Sequence, residues 1–235
     1  MKNKIITAKE AAALIPDGAS VMVGGFMANG SPEGIIDALV ERGAKDLTVM
    51  CNDGGFGPTI DKETGEEVKG PTGTGKLVKA RAVKKLIATH IGLNKQVAEQ
   101  MNAGEMAVTL VPQGSMAEMI RAGGAGLGGV ITPTGVGTEI ADGEFTLQEI
   151  NLKGKDYLLM APLHADVAIL GGNIVDKKGN VFYKGTTKNF QQVMATAADV
   201  VIVEAEKVVE VGELDPDYVM TPYIFVDYIV VGGDK

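Results

Sequence analysis

The sequence predicts an α/β protein built on an open, mainly parallel β-sheet with crossover helices. Two observations support this prediction. Short β-rich runs alternate with helical segments along the chain, which is the pattern of βαβ units. Hydrophobic residues make up 45% of the 235 residues and charged residues only 22%, so the chain can bury a large core. No repeat and no linker divides it, and we expect one domain over residues 1–235.

The first elements form a predicted βαβ unit. Thr7 and Glu10 have the spacing of a capping box, which predicts the start of a helix. The buried strand SVMVGGF follows. The run SPEGIIDALVERG then predicts a helix with Ser31 as its N-cap and Gly43 beyond its end, and DLTVMCN predicts the next strand.

The rest of the chain continues the alternation. Further strands are predicted at KKLIATHI, MAVTLVP, DVAILGG, VVIVEAE and YIFVDYIVV, and further helices at NKQVAEQMNAG, SMAEMIRAGG and NFQQVMATAA. Ser115 and Glu118 form a second predicted capping box directly after MAVTLVP. The polar stretch from residue 57 to residue 75 lacks this pattern and is predicted to be an exposed loop or flap.

Two glycine-rich stretches resemble nucleotide-binding motifs. GPTGTGKL (residues 70–77) has the glycine spacing and the lysine of a phosphate-binding loop, but Leu77 stands where a hydroxyl would bind Mg²⁺, and a charged segment precedes it in place of a strand. We therefore expect a loop that enters a helix, and no ATP site. GGAGLGG matches a dinucleotide fingerprint, but it leaves a helix, so we expect a helix end that leads into extended chain.

Polar or backbone-exposing residues follow three successive predicted strands. The glycine-rich segment 24–30 follows the first strand, Asn52 the second and Gln113 the third. In open parallel sheets, ligands bind beyond the carboxyl ends of the strands. Glycines let a ligand approach the backbone, and side-chain amides can orient a carbonyl or a carboxylate. Each turn, taken alone, fits an ordinary βα connection. Taken together, the three turns are explained equally well by ordinary connections and by a binding cleft.

The sequence offers no convincing nucleophile. His90 and His164 lie in or beside apolar strands and are predicted to be packed residues. Cys51 ends a strand without an evident histidine partner. Glu204 and Glu206 end another strand and could form an acid pair. Residues in such positions more often form surface ion pairs with neighbours such as lysine. The chain therefore has a candidate cleft and no nucleophile in context.

Composition excludes several classes of protein. The net charge of −8 argues against nucleic acid or an anionic membrane surface as a partner. No run of 18 apolar residues predicts a membrane span, and the N-terminal segment lacks the apolar stretch of a signal peptide. With Cys51 as the only cysteine, neither an internal disulfide nor a cysteine zinc site can form. We expect a cytoplasmic protein without a metal site.

The stretch DGASVMVGGFMANGSPEGII closely resembles the family I coenzyme A transferases, specifically their α subunits. The family pattern is Asp-Gly, a short apolar strand, Gly-Gly-Phe, three variable residues, Gly, one residue and Pro. Here it runs from Asp17 to Pro32. The resemblance continues nearly end to end, through VPQGSMAEMIRAGGAGLGGVITPTGVGT and DVAILGGNIVDKKGNVFYKGTTKNF. It departs at KNFQQ, where the family usually has Asn-Phe-Asn-Pro, so the turn at Gln191 and Gln192 is expected to differ.

The resemblance implies a shared active site. The nucleophile is then a glutamate on a separate β subunit, this chain supplies no catalytic residue, and the CoA thioester is a substrate, with no bound cofactor. The implied partners are that β subunit, in an α2β2 hetero-oligomer, an acyl-CoA and a short-chain carboxylate. The implied CoA- or substrate-binding residues are Gly24, Gly25, Phe26, Met27, Ala28, Asn29, Gly30, Asn52 and Gln113.

Two other functions remain as alternatives. A sugar-phosphate isomerase on a related sheet would need its own acid and base residues, and the sequence shows none in context. A non-catalytic binding or regulatory protein could use the same cleft for a CoA ester or a carboxylate. Within the CoA-transferase interpretation, the resemblance points to acetyl-, butyryl- or acetoacetyl-CoA and does not select among these acids.

Overall fold

The computed structural model describes residues 3–233. Its strands are β1 (Ile5–Ile6), β2 (Ser20–Val23), β3 (Leu47–Asp53), β4 (Thr59–Ile60), β5 (Glu67–Lys69), β6 (Val83–His90), β7 (Ala107–Leu110), β8 (Val130–Thr132), β9 (Thr146–Leu152), β10 (Lys155–Met160), β11 (Ala165–Asp176), β12 (Val181–Phe182), β13 (Ala198–Val209) and β14 (Tyr228–Val231). Its helices are α1 (Ala8–Ala13), α2 (Glu33–Arg42), α3 (Thr74–Lys79), α4 (Lys95–Asn102), α5 (Gln113–Gly124) and α6 (Gln191–Met194). Across residues 3–233, no helix combines the length and the apolar character needed to span a membrane.

Within those residues, a nine-stranded sheet forms the centre of the fold. Its order is β1-β14-β13-β11-β2-β3-β6-β7, with every neighbouring pair parallel, and β12 pairs antiparallel with β11. The predicted fold class is confirmed. The chain builds the sheet from β2 outward through β3, β6 and β7, and then returns to the other side of β2 with β11, β13 and β14. The crevice between β2 and β11 is thus a topological switch point, where ligands bind in open α/β sheets.

The central strands are buried on both faces, which explains their nearly continuous apolar runs. On one face, Val21 and Val23 of β2 pack in a cluster with residues of α1, α2, α3 and α4. On the other face, Met22 packs with residues of α5, α6 and β10. The strand period of two therefore divides each central strand between two cores.

The sequence did not predict the small antiparallel sheet β8-β10-β9. Leu147 and Leu152 of β9 are exposed, and most of the polar residues between them are exposed as well. No buried apolar alternation marks this strand, so its pairing is invisible to a pattern search. The extended chain predicted after the GGAGLGG glycines is confirmed as β8.

Local capping predictions had mixed outcomes. Thr7 and Glu10 form the predicted capping box of α1, and Gly43 ends α2 with a φ of 73°. Ser31 is not the N-cap of α2, because Pro32 holds that position and no side chain caps it. The predicted box at Ser115 and Glu118 is also wrong: Pro112 precedes the first residue of α5, so Ser115 lies inside the helix.

Two predicted elements are shorter than their sequence patterns. In the run YIFVDYIVV, Tyr223–Phe225 forms a turn of 3₁₀-helix and only Tyr228–Val231 is a strand. The segment NFQQVMATAA contains a helix of four residues, Gln191–Met194. The predicted flap (residues 57–75) contains the exposed hairpin β4–β5 and then enters α3.

Candidate active site

The glycine loop (residues 24–30) leaves β2 at the switch point and folds into a tight hairpin. Phe26 and Asn29 exchange backbone hydrogen bonds of 3.1 and 2.9 Å. The two residues between them have positive φ angles, 50° at Met27 and 60° at Ala28. This is the geometry of a type I′ turn, which normally contains Asn and Gly. Such a conformation costs about 1–3 kcal/mol for each residue with a β-carbon, so the surrounding structure must hold it in place.

The strained turn presents apolar side chains to solvent. Phe26 is 37% exposed and Met27 is 40% exposed, although both closely follow the buried residues of β2. Gly25 has a φ of 120°, and a β-carbon there would lie under 3.0 Å from Ser31 Oγ. This position therefore accepts only glycine, for reasons of both backbone conformation and space.

Asp53 anchors the turn from one face of the sheet. It ends β3, is only 5% exposed, and accepts a 2.8 Å hydrogen bond from the Met27 amide through Oδ2. Its Oδ1 accepts a second bond, of 2.9 Å, from the Gly55 amide. A buried carboxylate that accepts two backbone amides forms charge-assisted hydrogen bonds, which are stronger than neutral ones.

Two amide side chains anchor the same loop, one just before α6 and one at its first residue. Asn189 accepts a 3.3 Å bond from the Gly25 amide and donates a 3.1 Å bond to the Asn29 carbonyl. Gln191 is fully buried and donates a 2.6 Å bond to the Gly30 carbonyl. The KNFQQ segment therefore contacts the loop directly.

These anchors leave two amides of the loop without an acceptor. The amides of Gly24, Gly25, Phe26, Met27 and Asn29 all donate within the protein. Within residues 3–233, the amides of Ala28 and Gly30 donate no hydrogen bond. Two amides of the loop are therefore available to a ligand.

The predicted residues Asn52 and Gln113 lie together. Gln113 donates a 2.7 Å hydrogen bond from Nε2 to Asn52 Oδ1, and Thr89 donates a 2.8 Å bond to the Asn52 carbonyl. Asn52 is 3% exposed, whereas Gln113 is exposed at the start of α5. Successive residues of a strand point to opposite faces, so Asn52 faces away from the side of Asp53. In the described part of the chain, no hydrogen bond joins this pair to the glycine loop.

A cavity of about 280 Å³ opens beside the glycine loop at the switch point. Gly30, Ser31, Gly171 and Gly172 form part of its wall. Glu204 also lines it and accepts hydrogen bonds from two amides at the start of α2, Gly34 (3.0 Å) and Ile35 (2.8 Å). Glu204 therefore caps α2 from the neighbouring strand, a role different from the acid pair or surface pair considered from the sequence.

The lysine of GPTGTGKL is engaged in ion pairs. Lys76 Nζ lies 2.7 Å from carboxylate oxygens of both Glu33 and Asp37 on α2. Burial alone lowers the pKa of Lys76, and its hydrogen bonds to Asp37 and Glu33 more than reverse this, so the pKa lies above its ordinary value. Glu33 also accepts a 2.8 Å bond from the Gly73 amide, where a phosphate would have to bind. The stretch thus forms the expected loop that enters a helix, α3.

The other sequence candidates do not form a catalytic group. His90 and His164 are exposed, so the prediction that they are packed is wrong: both lie where a strand meets a loop, and their side chains leave the core. Cys51 is buried, and burial raises the pKa of its thiol far above the ordinary value. Among the described residues, no cluster of three or more His, Cys, Asp or Glu side chains could hold a metal ion.

The loop contacts of Asp53, Asn189 and Gln191, and the capping of α2 by Glu204, were not predicted from the sequence. Asp53 was the easiest to find, since it follows Asn52 at the end of a predicted strand. The other three lie more than 150 residues beyond the segments that they contact, and nothing in a single sequence marks that proximity.

The chain matches the family model described as "Coenzyme A transferase" over residues 5–232. It is 44% identical over 235 residues to "Acetate CoA-transferase subunit alpha" of Escherichia coli (strain K12), with all of both chains covered. It is 45% identical over 230 residues to "Acetoacetyl-CoA:acetate/butyrate CoA transferase alpha subunit" of Clostridium acetobutylicum, with 98% of both chains covered.

Solved structures show the same fold at lower sequence identity. An acyl-CoA transferase from Escherichia coli O157:H7 superposes with a TM-score of 0.85 at 22% identity, and this chain spans 48% of that longer chain. Glutaconate coenzyme A-transferase from Acidaminococcus fermentans gives a TM-score of 0.79 at 21% identity, with 97% of this chain and 75% of that chain covered.

Proposed function

Because this chain belongs to the coenzyme A transferase family, we propose that it is the α subunit of a short-chain acyl-CoA:carboxylate CoA-transferase. It exchanges CoA between acetyl-, butyryl- or acetoacetyl-CoA and a short-chain fatty or oxo acid. Relatives that it matches over their full length carry names of this kind and are themselves α subunits. The whole chain then acts as one domain in a cytoplasmic α2β2 assembly, without a bound cofactor.

One observation supports the need for a partner subunit above all others. Three carboxylates around the glycine loop already bind backbone amides: Asp53 binds Met27 and Gly55, Glu33 binds Gly73, and Glu204 binds Gly34 and Ile35. Glu206, which lines the adjacent cavity, accepts a 2.8 Å bond from Asn173 Nδ2. A carboxylate that accepts such bonds is stabilised in place and is a poor nucleophile. The loop therefore has a rigid, amide-presenting surface and no attacking group of its own.

The reaction then proceeds by covalent catalysis in which the partner's glutamate carboxylate attacks the thioester carbonyl. The C–S bond breaks, which gives an acyl-glutamyl anhydride and CoA thiolate. The thiolate attacks the glutamyl carbonyl of the anhydride, releases the first carboxylic acid as its carboxylate, and leaves a glutamyl-CoA thioester. A second carboxylate repeats these steps in reverse and departs as the new acyl-CoA.

This chain contributes one wall of that site. The free amides of Ala28 and Gly30 donate to the carbonyl oxygen as it gains negative charge, and the anchors of the loop fix them beforehand. Gly24, Gly25, Phe26, Met27 and Asn29 form the loop that presents them. On the neighbouring turn, the exposed Gln113 amide orients the carboxylate with its second N–H, and the buried Asn52 positions Gln113 by accepting its first.

Co-expression with the β subunit tests the proposal. The purified chain alone is expected to show no transfer of CoA from butyryl-CoA to acetate, and the co-purified complex is expected to show it. Hydroxylamine or borohydride treatment of the complex with acyl-CoA should modify a glutamate of the partner. Robust transfer by this chain alone, or a modified residue on this chain, contradicts the assignment.

A further inference from the structure

The glycine loop ends in Asn29-Gly30, and the sequence contains this Asn-Gly pair once. A backbone nitrogen that follows an asparagine can attack the carboxamide of its side chain, and glycine permits the closest approach because it has no β-carbon. The structure places the pair where water reaches it: Asn29 is exposed and Gly30 is partly exposed. Gly30 also lines the cavity of about 280 Å³ at the switch point. The pair is therefore accessible as well as chemically suited to this reaction.

The atom that would attack, the Gly30 nitrogen, is not engaged in the fold. Its N–H donates no hydrogen bond to any of residues 3–233. Backbone N–H groups inside helices and sheets donate to a carbonyl, and such a bond must break before the nitrogen can move. At Gly30 no bond of this kind opposes the attack.

The carboxamide that would be attacked, that of Asn29, is held weakly. Its Nδ2 donates to the Phe26 and Met27 carbonyls at 3.3 and 3.4 Å, beyond the usual range for N–H···O hydrogen bonds. Its Oδ1 accepts no bond from the part of the chain that the structure describes. The side chain can therefore turn toward the Gly30 nitrogen without breaking a strong bond.

Asn151 is an exposed asparagine that is held at both ends of its carboxamide. Its Nδ2 donates a 2.6 Å bond to Asp156, and its Oδ1 accepts a 3.1 Å bond from the Gly154 amide. Leu152 follows it on β9, and the leucine side chain hinders the approach of the backbone nitrogen. Exposure alone therefore does not make an asparagine reactive. At Asn29, exposure coincides with a loose carboxamide, a free nitrogen and a following glycine.

We propose that Asn29-Gly30 is a site of spontaneous deamidation. The Gly30 nitrogen attacks Cγ of Asn29 and gives its proton to water, and the C–N bond of the carboxamide breaks to release ammonia. The product is a cyclic succinimide. Water then adds to either carbonyl of that ring, which leaves aspartate or isoaspartate at position 29. Water is the co-reactant, and nothing is oxidised or reduced.

The anchors of the loop set the rate of this reaction. Ring closure requires rotation of the Asn29 backbone, whose carbonyl accepts 3.1 Å bonds from the Phe26 amide and from Asn189 Nδ2. The reaction therefore proceeds from molecules in which the loop has opened, and its rate measures how often the loop opens. Opening also releases the backbone strain of the type I′ turn, which favours it.

Deamidation bears on catalysis through the Gly30 amide. In the proposed function this amide donates to the thioester oxygen, so a bound substrate occupies the nitrogen that would otherwise attack Asn29. The product places a carboxylate beside an oxygen that becomes negative during the reaction, and isoaspartate adds a backbone atom that displaces the amide. We expect substrate to protect the loop and deamidation to inactivate the enzyme. This effect on activity rests on the proposed function, whereas the modification itself does not.

Mass spectrometry of the aged protein tests the proposal. The co-purified complex is incubated at alkaline pH, and the peptide that contains Asn29 is followed for replacement of –NH₂ by –OH and for isoaspartate. The modified fraction should rise with time, and faster at higher pH, because the deprotonated nitrogen is the better nucleophile. The Asn151 peptide is the internal control and should stay unmodified. The Asn29→Gln variant should also stay unmodified at that position, because its longer side chain closes a larger ring less readily.

Two further measurements test the dependence on loop opening. Asn189→Ala removes one bond that opposes opening and should speed the reaction about fivefold. The matched control is Asn180→Ala, whose side chain binds Asp176 and not the loop, and it should leave the rate unchanged. Acetyl-CoA with acetate, which exchange CoA without net change, should slow the reaction about tenfold at about ten times their half-saturating concentrations.

Several outcomes would overturn the proposal. Asn29 that stays unmodified in the complex, over a period in which the urea-unfolded chain converts, is one, and equal conversion of Asn29 and Asn151 is another. A rate that ignores both Asn189→Ala and the substrates overturns the role of loop opening. If the complex transfers CoA, full activity after complete conversion overturns the inactivation. A complex that never transfers CoA contradicts the proposed function, and the mass measurement still decides whether Asn29 is modified.

Discussion

The glycine loop and the flap are neighbours at one edge of the sheet and are held by opposite means. Asp53, Asn189 and Gln191 anchor the loop through side chains that come from separate elements, and Asp53 and Gln191 are buried. Local bonds hold the tip of the flap: an exposed two-stranded hairpin and one turn centred on Asp61. The loop is therefore suited to present amides at fixed positions, whereas the tip of the flap depends on its own hydrogen bonds.

The largest expected effect comes from a β-carbon in the loop. Gly25→Ala should lower kcat about 100-fold, because the φ of 120° and the contact with Ser31 displace the donors that stabilise the oxyanion. The strain of the added β-carbon is also expected to lower the melting temperature. Steady-state kinetics and thermal unfolding of the complex measure both.

Gly65→Ala provides the control in the flap. Gly65 also has a positive φ, 73°, but a β-carbon there would meet no atom within 4 Å. The Gly65→Ala variant should be less stable than the wild type because of backbone strain, and its turnover number should be unchanged. If both alanine variants reduce kcat equally, strain alone explains the loss and the anchoring of the loop is irrelevant to it.

Asp53→Asn should have the next largest effect. An asparagine retains one acceptor oxygen, so either the Met27 or the Gly55 amide loses its partner. We expect kcat to fall about tenfold with a smaller change in KM, since a charge-assisted bond contributes about 1.5–3 kcal/mol. Steady-state kinetics with varied carboxylate at saturating acyl-CoA measure kcat and KM separately.

The matched control is Asp176→Asn. Asp176 is another buried carboxylate that accepts backbone amides, at the turn after β11. It should reduce the free energy of unfolding by a similar amount with kcat preserved. A normal turnover number in both variants would mean that the Met27 turn holds its shape without Asp53.

Lys76→Ala should affect stability and not catalysis. Lys76 joins α3, at the end of the flap, to Glu33 and Asp37 on α2, and it is only partly exposed. We expect a loss of about 1 kcal/mol in urea denaturation, the range of partly screened ion pairs. The turnover number should stay near that of the wild type, and Mg-ATP should give no heat of binding. A micromolar, Lys76-dependent ATP signal contradicts this assignment.

The smallest effect concerns the turn of the flap. Hydrogen bonds from the Thr64 and Glu63 amides lower the pKa of Asp61 below its ordinary value of 3.8. Because the pKa is lowered in the folded state, ionised Asp61 stabilises the turn fully at pH values above its ordinary pKa. This stabilisation is lost as the pH falls through the lowered pKa. An NMR titration should show the Glu63 and Thr64 amide shifts moving with a midpoint below 3.8. A midpoint above 3.8 would mean that these bonds do not form in solution.

Elements with strong local signals were predictable from the sequence. The buried parallel strands β2, β3 and β6 follow from apolar runs, and the capping box of α1 follows from Thr7 and Glu10. The box at Ser115 and Glu118 failed because Pro112 starts α5 three residues earlier than the serine suggested. The sheet β8-β10-β9 was missed because its residues lack a buried stripe.

The candidate site also contains some features that were predictable from the sequence and some that were not. The pattern of glycines located the loop, but its type I′ turn at Met27 and Ala28 could not be predicted, because those residues disfavour positive φ and adopt it only under tertiary restraint. Local sequence placed Asn52 and Gln113 at strand ends, and the structure added the hydrogen bond between them. The anchors at 189, 191 and 204 depend on chain topology, which a local pattern does not encode.

The distance along the chain between the loop and its anchors has a consequence for biosynthesis. Asn189 and Gln191 follow their partners in the loop by 160 and 161 residues. During translation, the segment with β2 and β3 leaves the ribosome long before these anchors exist, and contacts of such high sequence separation form late. The strained turn should therefore be among the last features to mature. A nascent chain stopped before residue 189 should contain the first strands without a functional loop, and competence to form the active site should arise only as synthesis nears its end.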